Sequence, residues 1–277
     1  QNMKLLLLAL LISTATADNY CDGIFFNNNY YNVDILKEGV LNIHQIVFNN
    51  NDNTLYFTFD LLATVPTRVL GYFNLDTQQN GLIDGIRNAT GLSIDHILNR
   101  VYVGGADGLY FLNQNKVPEK LPVNDDIRYL FYKDVLYFIN RRREAYKFDY
   151  GVVKPLTELS GLAVDKLIAD DDNNLFFLQN TNLSRVKIGT RIVNTHEKYK
   201  VTAMGTDVNY KPYISTKTGV YVYNKYKYAL DKVSDIIDLK EITFNKKGEP
   251  IYVVVDHIVK LKYSPIPCFE INKMYFK

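Results

Sequence analysis

One short pattern recurs along the chain, and it constrains the fold more than any other feature of the sequence. The pattern is a turn followed by alternating aromatic and aliphatic residues, as in NTLYFTFD at residues 53–60. Its copies are centred on Tyr56, Tyr102, Tyr137, Phe176, Tyr213 and Tyr252. Their spacing is about 40 residues, a period typical of repeat architectures.

Each copy lies between other strand-like segments. The segments QIVFN, GLSID, RYLFY, KLIAD, AMGTD and EITFN precede the copies, a third segment such as LGYFNLD follows, and a weaker polar segment such as NGLIDGI comes last. Turns rich in Asn, Asp, Gly and Lys separate them, as expected of hairpins. A four-stranded unit at this period indicates a β-propeller blade. A β-sandwich with coincidental spacing is the alternative, and the number of matches favours the propeller.

We therefore predict an all-β fold, a single six-bladed β-propeller closed by an N-terminal strand. The last unit supplies only three strands, EITFN, PIYVVVD and HIVKLKY, while GIFFNNNYY at residues 23–31 is a spare strand. If that strand completes the last blade, the ring has no free edge. Cys21 and Cys268 would then lie side by side, and we predict a disulfide between them.

The first residues have the features of a secretory signal. Lys4 is followed by the apolar run LLLLALLI and by ATA, a small-residue cleavage pattern, and the apolar run is too short to span a membrane. We predict a signal region at residues 1–17, starting from Met3, and the propeller domain at residues 18–277. The protein is expected to be secreted and extracellular, which favours the disulfide. Asn88 and Asn182 begin N-glycosylation sequons.

A propeller binds ligands most often at one mouth of its central channel, where the loops before the first strands and after the second strands converge. The repeat alignment nominates as ligand-binding residues His44, Asp60, Arg128, Arg141, Lys166, Asn180, Lys217 and Asp256. Their cations can hold a carboxylate, and their acids can hold an amine or a metal. Ordinary solvated loop residues are the alternative interpretation for each position.

Catalytic patterns are missing from the sequence: it has no G-x-S-x-G and no H-E-x-x-H. Asp170, Asp172 and Asn174 begin like a calcium loop, but the Gly and the terminal Glu are absent, so a hairpin turn is favoured. A calcium-dependent lactonase or esterase remains an alternative, with a metal held by Glu241, Asn180, Asp60 and Asp256. Because neighbouring cations would repel such a metal, we predict no catalytic residues, no metal and no cofactor.

The segment YCDGIFFNNNYYNVDILKEG at residues 20–39, the repeated LYF strands and the late PIPCF together resemble the insect ommochrome-binding proteins, secreted pigment-binding proteins of haemolymph. The resemblance implies non-covalent binding of ommochromes, tricyclic pigments made from tryptophan through kynurenine. The expected ligand is therefore a small acidic aromatic pigment such as xanthommatin, or a kynurenine-derived precursor.

Such a flat ligand would stack on Tyr or Phe, with Arg or Lys taking its carboxylate. The net charge of +2 argues against a nucleic-acid partner. We expect a monomer with neither a nucleic acid nor a membrane as partner. A secreted interaction protein without a small-molecule ligand is the remaining alternative.

Overall fold

The computed structural model describes residues 23–62, 64–65 and 67–266. These residues form antiparallel strands and one short 3-10 helix at Thr157–Leu159, which confirms the predicted all-β class. No helix in the described ranges has the length and hydropathy needed to cross a bilayer. The predicted signal region, Cys21 and Cys268 lie outside the described residues, so the disulfide stays a prediction.

The first strands of the chain form a hairpin and two sheets. The hairpin contains β1 (Ile24–Phe26) and β2 (Asn29–Lys37). The first four-stranded sheet contains β3 (Gln45–Asn49), β4 (Thr54–Leu61), β5 (Thr67–Asn74) and β6 (Asn80–Ile83). The next contains β7 (Gly91–Asp95), β8 (Arg100–Gly105), β9 (Gly108–Leu112) and β10 (Pro118–Lys120).

The remaining strands form three further sheets. A four-stranded sheet contains β11 (Ile127–Lys133), β12 (Val135–Asn140), β13 (Ala145–Asp149) and β14 (Val152–Pro155). A seven-stranded sheet contains β15 (Lys166–Ala169), β16 (Asn174–Gln179), β17 (Asn182–Lys187), β18 (Val193–Thr206), β19 (Pro212–Thr216), β20 (Gly219–Asn224) and β21 (Ala229–Ser234). The last sheet joins β22 (Glu241–Phe244), β23 (Pro250–Val254) and β24 (His257–Tyr263) to β2 and β1.

The seven-stranded sheet is two four-stranded groups that share β18. The first half of β18 pairs with β17, from Val186 opposite Val193 to Asn182 opposite Lys200. The second half pairs with β19, starting from Val201. Both pairings are antiparallel, β18 is one continuous strand, and residues 197–199 form an irregularity in its pairing with β17.

The first strand of each group is the innermost. β3 and β7 are buried along their whole length, including their polar residues Gln45, Asn49, Ser93 and Asp95. Contacts between these first strands run in cyclic order from β3 through β7, β11, β15, β18 and β22 back to β3. Gly205 permits one of these approaches, because a Cβ there would lie 2.3 Å from the Ile242 carbonyl oxygen.

The prediction of one strand at residues 23–31 is wrong. Asn27 and Asn28 both have positive φ angles, 49° and 65°, which matches the tight turn that closes a two-residue hairpin. The turn divides the segment into β1 and β2. It is β2 that pairs with β24, with Tyr31 opposite Tyr263.

Candidate functional site

The strand directions define two faces of the molecule. We call the side where the first strands begin and the second strands end the mouth face. The opposite side, which carries the turns between first and second strands and between third and fourth strands, is the hairpin face. The sequence-predicted site residues belong to the mouth face.

His44 and Asp60 form the best-defined contact of the mouth face. His44 precedes β3, Asp60 is near the end of β4, and the imidazole Nε2 lies 2.8 Å from a carboxylate oxygen of Asp60. Asn42 donates a further hydrogen bond of 3.1 Å to that carboxylate. Burial lowers the pKa of His44 despite this partner. Burial acts to raise the pKa of Asp60, but the hydrogen bonds from His44 and Asn42 prevail and lower it.

The protonation states follow from these shifts. At neutral pH the imidazole of His44 is neutral and donates its ring N–H to the Asp60 carboxylate. The pair is therefore a positioned carboxylate with one net negative charge. Arg68 at the start of β5 adds a cation, with its Nε 3.5 Å from Asp60.

Arg128 and Arg141 both approach Asp126. The guanidinium of Arg128 lies 2.7 Å from the Asp126 carboxylate, whereas that of Arg141 is 3.9 Å from it and 75% exposed. Arg128 also lines a recess of about 280 Å³ together with Asp60, Arg68 and Asn88. The structure thus brings Arg128 and Asp60 to one recess and leaves Arg141 outside its lining.

Lys166 is not free to meet a ligand. Its ammonium group pairs with the carboxylate of Glu241 across the ring, where the lysine side chain is 22% exposed and the glutamate side chain 4%. Burial raises the pKa of Glu241, and the Lys166 charge acts against this rise. The pair joins the starts of β15 and β22.

The other three predicted residues do not line the recess. Asn180 receives a 3.2 Å hydrogen bond from Arg143 at its side-chain oxygen. Lys217 is exposed in the β19–β20 turn, and Asp256 lies 2.7 Å from the ring Nδ1 of His257. Repeat position alone therefore places a residue on the mouth face but does not decide its partner.

The metal set of the alternative calcium-dependent enzyme is not assembled as a cluster. Within the described ranges, the group of three or more His, Cys, Asp or Glu ligand atoms lying within 4.8 Å of one another is Asp170, Asp171 and Asp172. Asp170 accepts hydrogen bonds from the backbone of Asp172 and Asn174, as a turn residue does. The hairpin-turn interpretation of this segment is therefore the better one.

The channel beneath the mouth is narrow. The buried amide of Gln45 donates to the Leu130 carbonyl at 2.6 Å and accepts from the Leu92 amide at 2.9 Å, so one side chain joins three inner strands. The cavity among the inner strands is about 90 Å³. Sites for drug-sized molecules have roughly 300–1,000 Å³, so a tricyclic ligand has to stay at a face of the molecule.

Sequence analysis missed Arg68 and Asp126. Arg68 lies directly opposite Asp60 in the β4–β5 pairing, and Asp126 immediately precedes β11. Arg68 could have been found from the sequence, because the hairpin between the second and third strands places it opposite Asp60. Of the two sequons, Asn88 is exposed at the recess, whereas Asn182 is half-buried in β17 and accepts a hydrogen bond from Lys200.

The chain is similar to the ommochrome-binding protein of Manduca sexta. The two are 27% identical over 270 residues, which cover 94% of this chain and 98% of that protein. This similarity confirms the predicted resemblance. No protein-family model matches the chain.

Solved structures show the same kind of fold at low sequence identity. A gluconolactonase from Xanthomonas campestris has a TM-score of 0.67 at 11% identity, covering 88% of this chain and 96% of its own. The calcium-binding protein regucalcin from Agrobacterium tumefaciens has a TM-score of 0.64 at 12% identity, covering 86% and 98%. The WD40 β-propeller domain of Doa1 has a TM-score of 0.58 at 14% identity, covering 88% and 97%. These similarities concern the fold alone.

Proposed function

We propose that this protein is a secreted, non-catalytic binding protein for a small acidic aromatic pigment of the ommochrome class or a kynurenine-derived precursor. The observation that carries the proposal is the similarity to the Manduca sexta ommochrome-binding protein over nearly the full length of both chains. Such coverage means that the whole fold, and not a shared fragment, is common to the two proteins.

The proposed architecture is a six-bladed β-propeller whose last blade is closed by β2. The cyclic contacts of the first strands and the pairing of β2 with β24 support it. A crystal structure with another number of blades, or with β2 detached from β24, would contradict this architecture.

The proposed ligand site is the recess of the mouth face. The guanidinium of Arg128 has five N–H donors, and its contact with Asp126 involves one of its terminal nitrogens, so donors remain for a ligand carboxylate. Arg68 lines the same recess, and Asp60 can accept from a ligand amine. A pigment with an amino-acid tail presents both groups.

The surroundings of His44 support binding without catalysis. A hydrolytic triad needs a Ser, Cys or Thr nucleophile within hydrogen-bond distance of its base. In the described structure the hydrogen-bond partner of the His44 imidazole is Asp60. His44 then acts to position a carboxylate.

A calcium-dependent lactonase is the second candidate, since a gluconolactonase and regucalcin share the fold. That enzyme would need Glu241 as a metal ligand, but Glu241 is paired with Lys166. Asp60 likewise has His44, Asn42 and Arg68 around it. The pigment-binding proposal requires no rearrangement of these contacts.

The test is titration of the purified protein with xanthommatin, followed by visible absorbance and by quenching of the fluorescence of its 22 tyrosines. Arg128→Ala should weaken binding by about thirty- to a hundredfold, because a charge-assisted contact contributes roughly 2–3 kcal/mol. Arg142→Ala is the matched control, since Arg142 is 73% exposed and pairs with Glu144 at the protein surface. Its affinity should equal that of the wild type.

Two results would overturn the proposal. One is a wild-type protein that does not bind xanthommatin at all. The other is hydrolysis of a lactone or ester that appears only when calcium is added. If the Arg142→Ala control loses binding as much as Arg128→Ala does, the ligand lies outside the recess.

A further inference from the structure

We infer that a second ligand recess lies between the fourth and fifth four-stranded groups, and that it takes a flat aromatic molecule bearing a carboxylate. The recess has a volume of about 520 Å³, against about 280 Å³ at the mouth. We call it the tyrosine recess. The inference rests on the proposed function only in using a pigment as one of its probes.

The walls of the tyrosine recess come from several turns. The β15–β16 turn contributes Asp171, the β18–β19 turn Lys211 and the β20–β21 turn Tyr226, all on the hairpin face. The Asn27–Asn28 turn completes the wall, and the Asn27 amide donates to the Val233 carbonyl of β21 at 2.8 Å. The recess is thus built from several turns rather than from one loop.

The lining is apolar at its base and aromatic above. Pro212, Val222 and Val233 contribute aliphatic surface. Tyr223 is 5% exposed, and its hydroxyl accepts a 2.8 Å hydrogen bond from Arg185. Its ring is therefore held in place.

The β20–β21 turn carries two exposed tyrosines. Tyr226 is 87% exposed and lines the recess, and Tyr228 is 67% exposed beside it. The Arg185 guanidinium lies 5.4 Å from the Tyr223 ring and 5.4 Å from the Tyr228 ring. Of these rings, that of Tyr226 both lines the recess and is exposed, so it offers the face on which a flat heteroaromatic can stack, burying surface that is now in water.

The charges around the recess favour a carboxylate. Lys225 is 2.9 Å from Asp172 and already paired, and Asp231 accepts from Asn224 at 2.7 Å. Lys211 lines the recess and is exposed, and its charge helps to lower the pKa of Asp231, but no carboxylate lies within salt-bridge distance of it in the part of the chain that the structure describes. An incoming carboxylate would give Lys211 its partner.

The two recesses differ in their chemistry. The lining of the mouth recess consists of Asp60, Arg68, Asn88 and Arg128, without an aromatic side chain. A flat ligand therefore meets charged and polar groups in the mouth recess. In the tyrosine recess it meets the Tyr226 ring and the Lys211 ammonium group together. This difference is the reason for assigning a separate site rather than an extension of the first one.

The test combines nitration footprinting with affinity measurements on the full-length protein. Tetranitromethane should nitrate Tyr226 and also Tyr150, which is 98% exposed in the β13–β14 turn of another sheet. Saturating xanthommatin, and separately 2-naphthoic acid, should protect Tyr226 severalfold and leave Tyr150 unchanged, as read by peptide mass spectrometry.

Variants report the same site by affinity. Tyr226→Ala and Lys211→Ala should each weaken binding of 2-naphthoic acid by about tenfold, the loss of one stacking or one charge contact. Tyr150→Ala and Lys154→Ala, both exposed changes in another sheet, should leave it unchanged. Since all four side chains are exposed, the variants should fold like the wild type.

The outcomes separate the two proposals. Xanthommatin binding with no protection of Tyr226 and no effect of its replacement overturns the tyrosine recess and leaves the proposed function standing. Protection of Tyr226 by 2-naphthoic acid, in a protein that does not bind xanthommatin, supports the recess and overturns the pigment proposal. Equal protection of Tyr226 and Tyr150 overturns the recess, because it indicates non-specific association.

Discussion

Replacing Lys166 by methionine should destabilise the protein by about 3 kcal/mol at neutral pH. Lys166 is the cation beside the Glu241 carboxylate, whose side chain is 4% exposed. Removing one partner of a buried ion pair costs roughly 3–5 kcal/mol, because the other charge stays buried without compensation. The lower end applies here, since the lysine side chain is 22% exposed and water reaches its side of the pair.

The pH dependence gives this prediction its specific signature. Burial raises the pKa of Glu241 above its ordinary value of 4.5, and Lys166 limits the rise. Without the lysine, the pKa in the folded variant rises further, so the folded state binds a proton more tightly than the unfolded chain. Below the pKa that Glu241 has in the unfolded chain, its carboxyl group is protonated in both the folded and the unfolded state, and little stability is lost.

As the pH rises above that value, the unfolded chain ionises first and becomes relatively more stable. The deficit of Lys166→Met relative to wild type should therefore stay small up to the raised pKa that Glu241 has in the folded wild type. It should then grow, by at most about 1.4 kcal/mol per pH unit, until the still higher pKa of Glu241 in the folded variant is passed.

Urea unfolding at pH 4.5, 6 and 7.5, followed by far-ultraviolet circular dichroism, measures this difference. The double variant Lys166→Met with Glu241→Gln should recover most of the stability at pH 7.5, because no charge is then buried. Lys217→Met is the control for losing an exposed lysine. A deficit that is the same at all three pH values, or a double variant no more stable than the single one, would refute the reasoning.

Three further predictions concern other parts of the chain. Thiol titration of the unfolded protein should find none of Cys21 and Cys268 free before reduction and both after, and two free thiols without reductant would refute the disulfide. Gln45→Ala should cost about 1–3 kcal/mol in urea unfolding, because buried backbone groups of neighbouring inner strands lose their partner, whereas the same change at an exposed glutamine should cost little. In protein from insect cells, mass spectrometry should find a glycan at Asn88, which is exposed, in preference to Asn182, which is half-buried in a strand; the reverse preference would contradict this.

The inner strands could be predicted because their burial leaves a direct trace in the sequence. QIVFN, GLSID and EITF correspond to β3, β7 and β22, and each carries strand-forming apolar residues one short turn before a copy of the repeat. The N-terminal segment was harder, because an Asn-Asn turn inside an aromatic run is easily taken for part of a strand. Its positive φ angles, which permit the hairpin, are a local backbone property that hydropathy does not report.

The site was only partly predictable. Repeat position placed His44 and Asp60 together, because both positions are fixed by the pairing of β3 and β4. It failed for Lys166, whose partner Glu241 comes from another sheet, and pairing between sheets has no period in the sequence. The tyrosine recess was missed for the same reason: its turns belong to different units, and the available signal was two tyrosines in the turn NKYKYA, where the other units have mainly polar residues.

The continuity of β18 has a consequence for the tyrosine recess. The fourth and fifth groups share this one strand, in which Lys200 still pairs with β17 and Val201 already pairs with β19. Paired strand therefore runs without an irregular linker from the fourth group into the fifth. The recess is therefore a slot of fixed width rather than a hinge, and a ligand entering it orders little of the protein. Association then costs less conformational entropy than closing a flexible loop would, which favours stiff planar molecules over long flexible ones.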